Sequence, residues 1–274
     1  MRAMSDVLPR IERYYDAVPR SVARAEEFGS LTLFVNRGPG WNYYARPRLG
    51  ADRVRVEDVV RVRERQRALN IPQSFEWVHE TTPSLRDAAM TAGLRVQELP
   101  LLGVLRSEVR SVEAPRGISV RLVDPEGDDL AELGAVAQLG FMSPGTEVEP
   151  VGLDAVSLIA SSRPPELVDF ERERLQSGFT VMVVASLDGR AVGVGSHQPV
   201  DEVSEVVGVA TLPAFRRRGI AAALTSELVR DAFERGAEVV FLSAGDVSIA
   251  RVYERAGFRR IATACAAEPG EPIE

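Results

Sequence analysis

The stretch VSEVVGVATLPAFRRRGIAAA, Val203 to Ala223, decides how this chain is read. An apolar strand over Val206–Thr211, rich in β-branched residues, runs toward Pro213, which has no N–H to give a sheet ladder, so regular pairing is expected to stop there. Arg216, Arg217, Arg218 and Gly219 form the turn that follows. From Ile220 the period changes: Ile220, Leu224, Leu228 and Phe233 recur at helical spacing, Glu227, Arg230, Asp231 and Glu234 fill much of the other face, and Gly236 is a stop signal. A turn that opens directly into a helix is suited to a pyrophosphate. The free N–H groups of the first helical turn carry about half a positive charge, and Gly219 lets a diphosphate approach the backbone with no Cβ in the way.

Downstream, a strand is expected over Glu238–Ser243, followed by DVSIARVYERAGF, Asp246 to Phe258. The spacing Arg216-x-x-Gly219-x-Ala221 resembles the acyl-CoA motif R-x-x-G-x-A of the GNAT (GCN-related N-acetyltransferase) superfamily. The segment from Asp246 resembles the family's N-x-x-A-x-x-L-Y-x-x-x-G-F signature, with Asp246 where Asn is usual and Ile249 where Ala is usual. The resemblance spans about Ile118 to Ala266. It implies an α/β GNAT fold, a mixed central sheet flanked by helices, that uses acetyl-CoA to acetylate an amine. Arg216, Arg217, Arg218, Gly219, Ile220, Ala221 and Ala222 would anchor the cofactor, mostly through backbone N–H groups, since three consecutive arginines cannot all face phosphates. A bulge in the motif strand would free backbone groups among Val209, Ala210 and Thr211, and Gly208 is compatible with one. Asp246, Ser248 and Arg251 would lie beside the cofactor. Tyr253 would be the general acid for the leaving thiolate. Glu205, eleven residues before Arg216, stands at the offset where histone-type members carry their general base, with Glu202 as substitute. Plainer readings exist for both: a tyrosine packed on the sheet and a solvated strand-edge glutamate.

Organisation follows from strand and turn signals. The second half reads as strand Ile118–Leu122, helices within Asp128–Phe141 and Val151–Ser177, and a hairpin turning at Asp188-Gly189 before the motif strand. By the resemblance, the loop Met142–Pro150 and the acidic helix Pro165–Leu175 lie where the acceptor site is built. The first half reads as strand Leu31–Val35, an aromatic segment Trp41–Ala45, helix Val56–Leu69, strand Phe75–His79, helix Ser84–Ala92 and strand Leu99–Leu105. Its last part parallels the second half, Gly93-Leu94 against Gly257-Phe258, without the cofactor turn. We therefore expect two tandem GNAT-like units, a degenerate one at 1–110 and a catalytic one at 117–274, joined by the polar stretch Ser107–Gly117.

Composition bounds the function. A chain of 274 residues that is 45% hydrophobic and 27% charged suits two globular domains. No apolar run is long enough for a membrane span, and the first residues carry no apolar signal region, so no membrane partner and a cytoplasmic location are expected. All 33 basic residues are arginine. Residues 1–116 carry 19 arginines against 15 acids and residues 117–274 carry 14 against 25, which argues against nucleic acid and weakly for a cationic acceptor. One cysteine, Cys265, and two distant histidines, His79 and His197, make a metal site unexpected. His197 reads as a packed residue, Trp41, Tyr43 and Tyr44 as core or cross-strand aromatics, and Cys265 as unreactive. The combined expectation is transfer from acetyl-CoA to a small-molecule primary amine in a ternary complex, with a homodimer left open. The rivals are an acyl-CoA-binding sensor or interaction module without catalysis, and a protein or peptide N-acetyltransferase.

Overall fold

The computed structural model describes residues 6–40, 42–51 and 53–270, so Trp41 of the aromatic segment lies outside the described residues. The chain forms two compact units, one from residues up to Leu101 together with the segment from Arg260 onward, the other Leu102–Arg259. This division differs from a linear cut at 110–117. The closing strand belongs with the first unit, and the expected linker is held to the second by hydrogen bonds from Arg110 N to Ala256 O (3.1 Å) and from Val112 N to Ser226 Oγ (3.0 Å).

The first unit begins with a helix that the sequence reading did not anticipate, α1 (Val7–Arg20), which buries Val7, Ile11, Tyr14 and Tyr15 on one face at helical spacing. Strands β1 (Ala23–Phe28) and β2 (Leu31–Asn36) form an antiparallel hairpin, Ala23↔Asn36 to Phe28↔Leu31, and the short β3 (Arg46–Pro47) joins β2. Tyr43 and Tyr44 precede that strand rather than forming one. Then come α2 (Val56–Ala68), β4 (Phe75–Val78), α3 (Ser84–Thr91) and β5 (Leu94–Leu105), whose last residues fall in the second unit. Leu31, Leu33, Phe75, Trp77 and Leu85 form the core, completed by Cys265 and Ala267 of the closing strand, which pairs antiparallel with β4 from Ala264↔Val78 to Ala267↔Phe75.

The second unit runs β6 (Ile118–Leu122), α4 (Leu130–Met142), α5 (Leu153–Ser161), α6 (Pro165–Gln176), β7 (Val181–Leu187), β8 (Arg190–Val200), β9 (Val203–Thr211), α7 (Ile220–Glu234), β10 (Val239–Ser243) and α8 (Val247–Glu254), before β11 (Arg259–Pro269) returns the chain to the first unit. The sheet order is β10-β9-β8-β7-β6, antiparallel except for the parallel β9–β10 pair. The hairpin turns where expected, with positive φ at both Asp188 (49°) and Gly189 (79°), as a two-residue turn matching strand twist requires. One face of the sheet is covered by α7 through Ile220, Leu224, Leu228 and Phe233 against Val183, Val192 and Val206. The opposite face is covered by α4 through Leu133, Val136 and Leu139 against Val184, Val194 and Ala210. Each such buried side chain contributes roughly 1.5–3 kcal/mol, so the two layers fix where β9 and the start of α7 stand.

Candidate active site

Strand β9 is the back wall of a cavity of about 820 Å³. The register with β8 passes from Val194↔Ala210 to Ser196↔Val207, so Gly195 faces two residues, Gly208 and Val209. Gly208 sits at φ +66°, the left-handed region that a bulge glycine takes. On its other edge β9 pairs with β10 from Val239↔Val203 to Phe241↔Glu205 and then continues to Thr211 beyond that ladder. The N–H of Leu212 donates to Val192 O on the β8 side (2.9 Å). Strand alternation therefore turns the N–H groups of Thr211 and Val209 toward the edge that β10 has left. The Thr211 side chain, 9% exposed, lines the cavity, and its hydroxyl is buried without a partner among the described residues.

The turn after β9 is strained in a specific way. Arg217 has φ +63° and Gly219 φ +87°; a non-glycine residue in that region costs about 1–2 kcal/mol, and such outliers gather at functional sites. Helix α7 starts behind Gly219 with no side-chain cap and no acid in its first turn, and Gly219, Ile220, Ala221 and Ala222 all line the cavity. The first turn of this fifteen-residue helix, whose N–H groups have no intrahelical acceptor, therefore lines the same cavity as the Thr211 hydroxyl.

The sequence-expected residues divide. Glu205, Val209, Ala210, Thr211, Arg216, Arg217, Gly219, Ile220, Ala221, Ala222, Ser248, Arg251 and Tyr253 come together in the cavity wall. Arg218 is outside it and stacks over the Phe215 ring at 5.1 Å. Asp246 is also outside, because it caps α8: its carboxylate accepts from Ile249 N (2.8 Å) and Ser248 Oγ (2.6 Å), and those bonds hold it below the ordinary carboxylate range. Arg216 is in the wall, but its guanidinium turns to backbone carbonyls at the end of α4 and in the segment after it. Residues Ser143–Thr146 of the expected acceptor loop line the cavity, whereas helix α6 contributes no residue to it. Sequence reading missed Arg255, Ser243 and Phe215, which carry no motif signal beyond lying near the motif residues.

Tyr253 is half-buried, packs edge-on against Phe258 (centroids 6.1 Å apart) and has its phenol pushed up to about 12 by burial. Glu205 is the one carboxylate among the lining residues, against Arg216, Arg217, Arg251 and Arg255. The acidic excess of the second half is thus elsewhere on the molecule. His197 is fully buried, outside the cavity, between Ser204 Oγ (2.8 Å to Nδ1) and Asp231 Oδ2 (2.9 Å to Nε2). Burial raises the Asp231 carboxyl, but the bonds to His197 and Arg235 win and hold it below its usual value. Cys265 is buried in the first unit, its thiol pushed up to about 12 by burial and by Glu98 and Glu80. Among the described residues no group of three or more potential metal ligands occurs, and no helix is long and apolar enough to cross a membrane.

A bulged strand that runs on past its parallel neighbour, with an uncapped helix start just beyond it, defines the α/β architecture of this unit. Residues 154–258 match the acetyltransferase (GNAT) family model, a family whose members are acyltransferases. Among solved structures it is similar to a GCN5-related N-acetyltransferase from Kribbella flavida, 24% identical, with 97% of each chain covered and a TM-score of 0.73. It is also similar to a GNAT-family acetyltransferase from Novosphingobium aromaticivorans (21% identity, 90% of each chain, TM-score 0.51). A tandem GNAT protein from the clavulanic acid biosynthesis pathway matches at 16% identity over 89% of this chain and 79% of that one, TM-score 0.52. These likenesses establish the GNAT fold. No curated protein matches the sequence.

Proposed function

We propose that the second unit binds acetyl-CoA in the β9–α7 cavity and transfers the acetyl group directly to a primary amine of a small molecule in a ternary complex. The observation that carries this is the uncapped start of α7, open to the cavity beside the buried, unpartnered hydroxyl of Thr211. The diphosphate lies against the first-turn N–H groups, with Arg217, Arg251 and Arg255 supplying cations. The pantetheine arm adds to the free edge of β9, and the N–H groups of Val209 and Thr211 serve its amides and the thioester carbonyl. The amine lone pair attacks the carbonyl carbon, the C–S bond breaks, and the nitrogen's proton passes to Glu205 directly or through water.

Tyr253 donates a hydrogen bond to the departing sulfur. Burial pushes the phenol up to about 12, so proton donation to a thiolate whose conjugate acid lies near 8.5 relies on close positioning of the two groups. Through that hydrogen bond the hydroxyl acts as general acid to the departing thiolate. Calorimetry with acetyl-CoA, followed by thiol release with a panel of small amines and a Lys-containing peptide, tests the reading. Binding with amine-dependent release supports it. Failure of the wild type to bind acetyl-CoA overturns it, and tight binding without release from any acceptor makes this a binding module.

A further inference from the structure

Arg216 occupies the first position of the cofactor motif, yet its side chain is 9% exposed and turned away from the open helix start. Nη2 donates to the carbonyl oxygens of Gly140 (2.9 Å) and Ser143, Nη1 donates to Glu147 O (3.2 Å), and the Glu149 carboxylate lies 4.0 Å from Nη1. The backbone reinforces this seam: Ala214 N donates to Val151 O (3.0 Å) and Glu149 N to Pro213 O (3.4 Å), while the Arg217 guanidinium reaches Thr146 Oγ1 (3.5 Å). One buried guanidinium therefore gathers the carbonyls at the end of α4 and along the loop that follows. That loop supplies Ser143, Pro144, Gly145 and Thr146 to the cavity wall.

We propose that Arg216 is a positioning residue for the 143–149 loop, and that it sets the acceptor-side wall of the cavity rather than binding cofactor phosphates. This rests on the reading of the cavity as a cofactor and acceptor site. A planar guanidinium with five donors in a fixed fork suits three carbonyls at once; a lysine reaches fewer of them, so Arg216→Lys is a partial replacement and Arg216→Met a complete loss.

The test uses the full chain as wild type, Arg216→Lys and Arg216→Met. Coenzyme A affinity is measured by calorimetry, and cleavage after Glu147 by a Glu-specific protease is followed by mass spectrometry, with thermal melts as the check on global folding. The expected result is cleavage in this loop about tenfold faster in Arg216→Met and intermediate in Arg216→Lys, with coenzyme A affinity within about twofold of wild type in both. Coenzyme A affinity falling tenfold or more, or loop cleavage unchanged in both variants, overturns the proposal. If the wild type itself binds no coenzyme A, the cofactor reading fails while the cleavage comparison still decides whether Arg216 holds the loop. Should Arg216→Met not fold, Arg216→Lys carries the same two readouts.

Discussion

Helix α7 of the second unit starts behind Gly219 with no side-chain cap and no acid in its first turn, whereas helix α2 of the first unit starts with Glu57 and Asp58 in that turn. Both follow a strand and a turn, β9 in one case and the short β3 in the other, and both lead into a further strand, helix and strand. At α2 the Asp58 carboxylate is buried, accepts from Ser30 N (3.2 Å) and pairs with Arg61, so the helix start has its own anion. A cavity of about 900 Å³ lies beside it, but Arg48, Arg53, Arg55 and Arg61 share its wall with Glu57, Asp58 and Asp87. The same strand-turn-helix layout thus leaves the helix start open to a cavity when glycine and alanines lead the helix. The helix start carries its own carboxylates when two acids do.

The largest effect should come from placing a carboxylate at the open start. Gly219→Glu is expected to lower coenzyme A affinity by about 100-fold or more in calorimetry, because a like charge then meets the phosphates, while the circular dichroism spectrum stays that of the fold. Its φ of +87° adds a strain of about 1–2 kcal/mol, visible as a lower melting temperature. Next, Tyr253→Phe should lower kcat about 100-fold with coenzyme A affinity preserved. With the phenol at about 12, the wild-type pH–rate profile should also lack a falling limb from this group up to pH ~10. Unchanged turnover in the phenylalanine variant removes Tyr253 from the mechanism.

The first unit can break the comparison outright: one coenzyme A per chain is expected, and a stoichiometry of two would show that its acid-capped helix start still takes an anion. Asp58→Asn should lower stability by about 1–3 kcal/mol at pH 7 in urea unfolding. Burial raises the Asp58 carboxyl, yet Arg61 and the Ser30 N–H prevail and hold it below its ordinary value. Its contribution is therefore present above the unfolded pKa of about 3.9 and is lost as pH falls through the lower folded value. The gap between wild type and variant should narrow below pH ~4. The smallest effect belongs to Arg218→Ala, whose guanidinium stacks on Phe215, and coenzyme A affinity should change by less than about twofold.

Local chemistry wrote some of this plainly. Asp188-Gly189 specified its hairpin because only a turn with positive φ at both positions matches strand twist, and the apolar spacing from Ile220 specified α7 because a helix repeats every 3.6 residues. The motif spacing singles out Gly219 and Tyr253 and the offset from Arg216 singles out Glu205, and the fold brings all three to one cavity wall. Helix α1 carries the same kind of signal, Val7, Ile11, Tyr14 and Tyr15 at helical spacing.

Side-chain direction is another matter, since a motif fixes spacing along the chain and not where a long side chain finds its partners. Asp246 went to its own helix cap, Arg218 to an aromatic ring and Arg216 to the loop after α4, each satisfying polar groups that only the fold brings near. The exchange of β11 into the first unit is likewise a long-range pairing, Cys265 opposite Trp77, that no local pattern encodes. The sequence by itself determined the strand-turn-helix and the residue types that leave its helix start uncapped, because those depend on neighbours a few positions apart. The tertiary structure alone decided which arginines face the cavity, where β9 parts from β10, and which unit receives the last strand, because each depends on packing between segments distant in the chain.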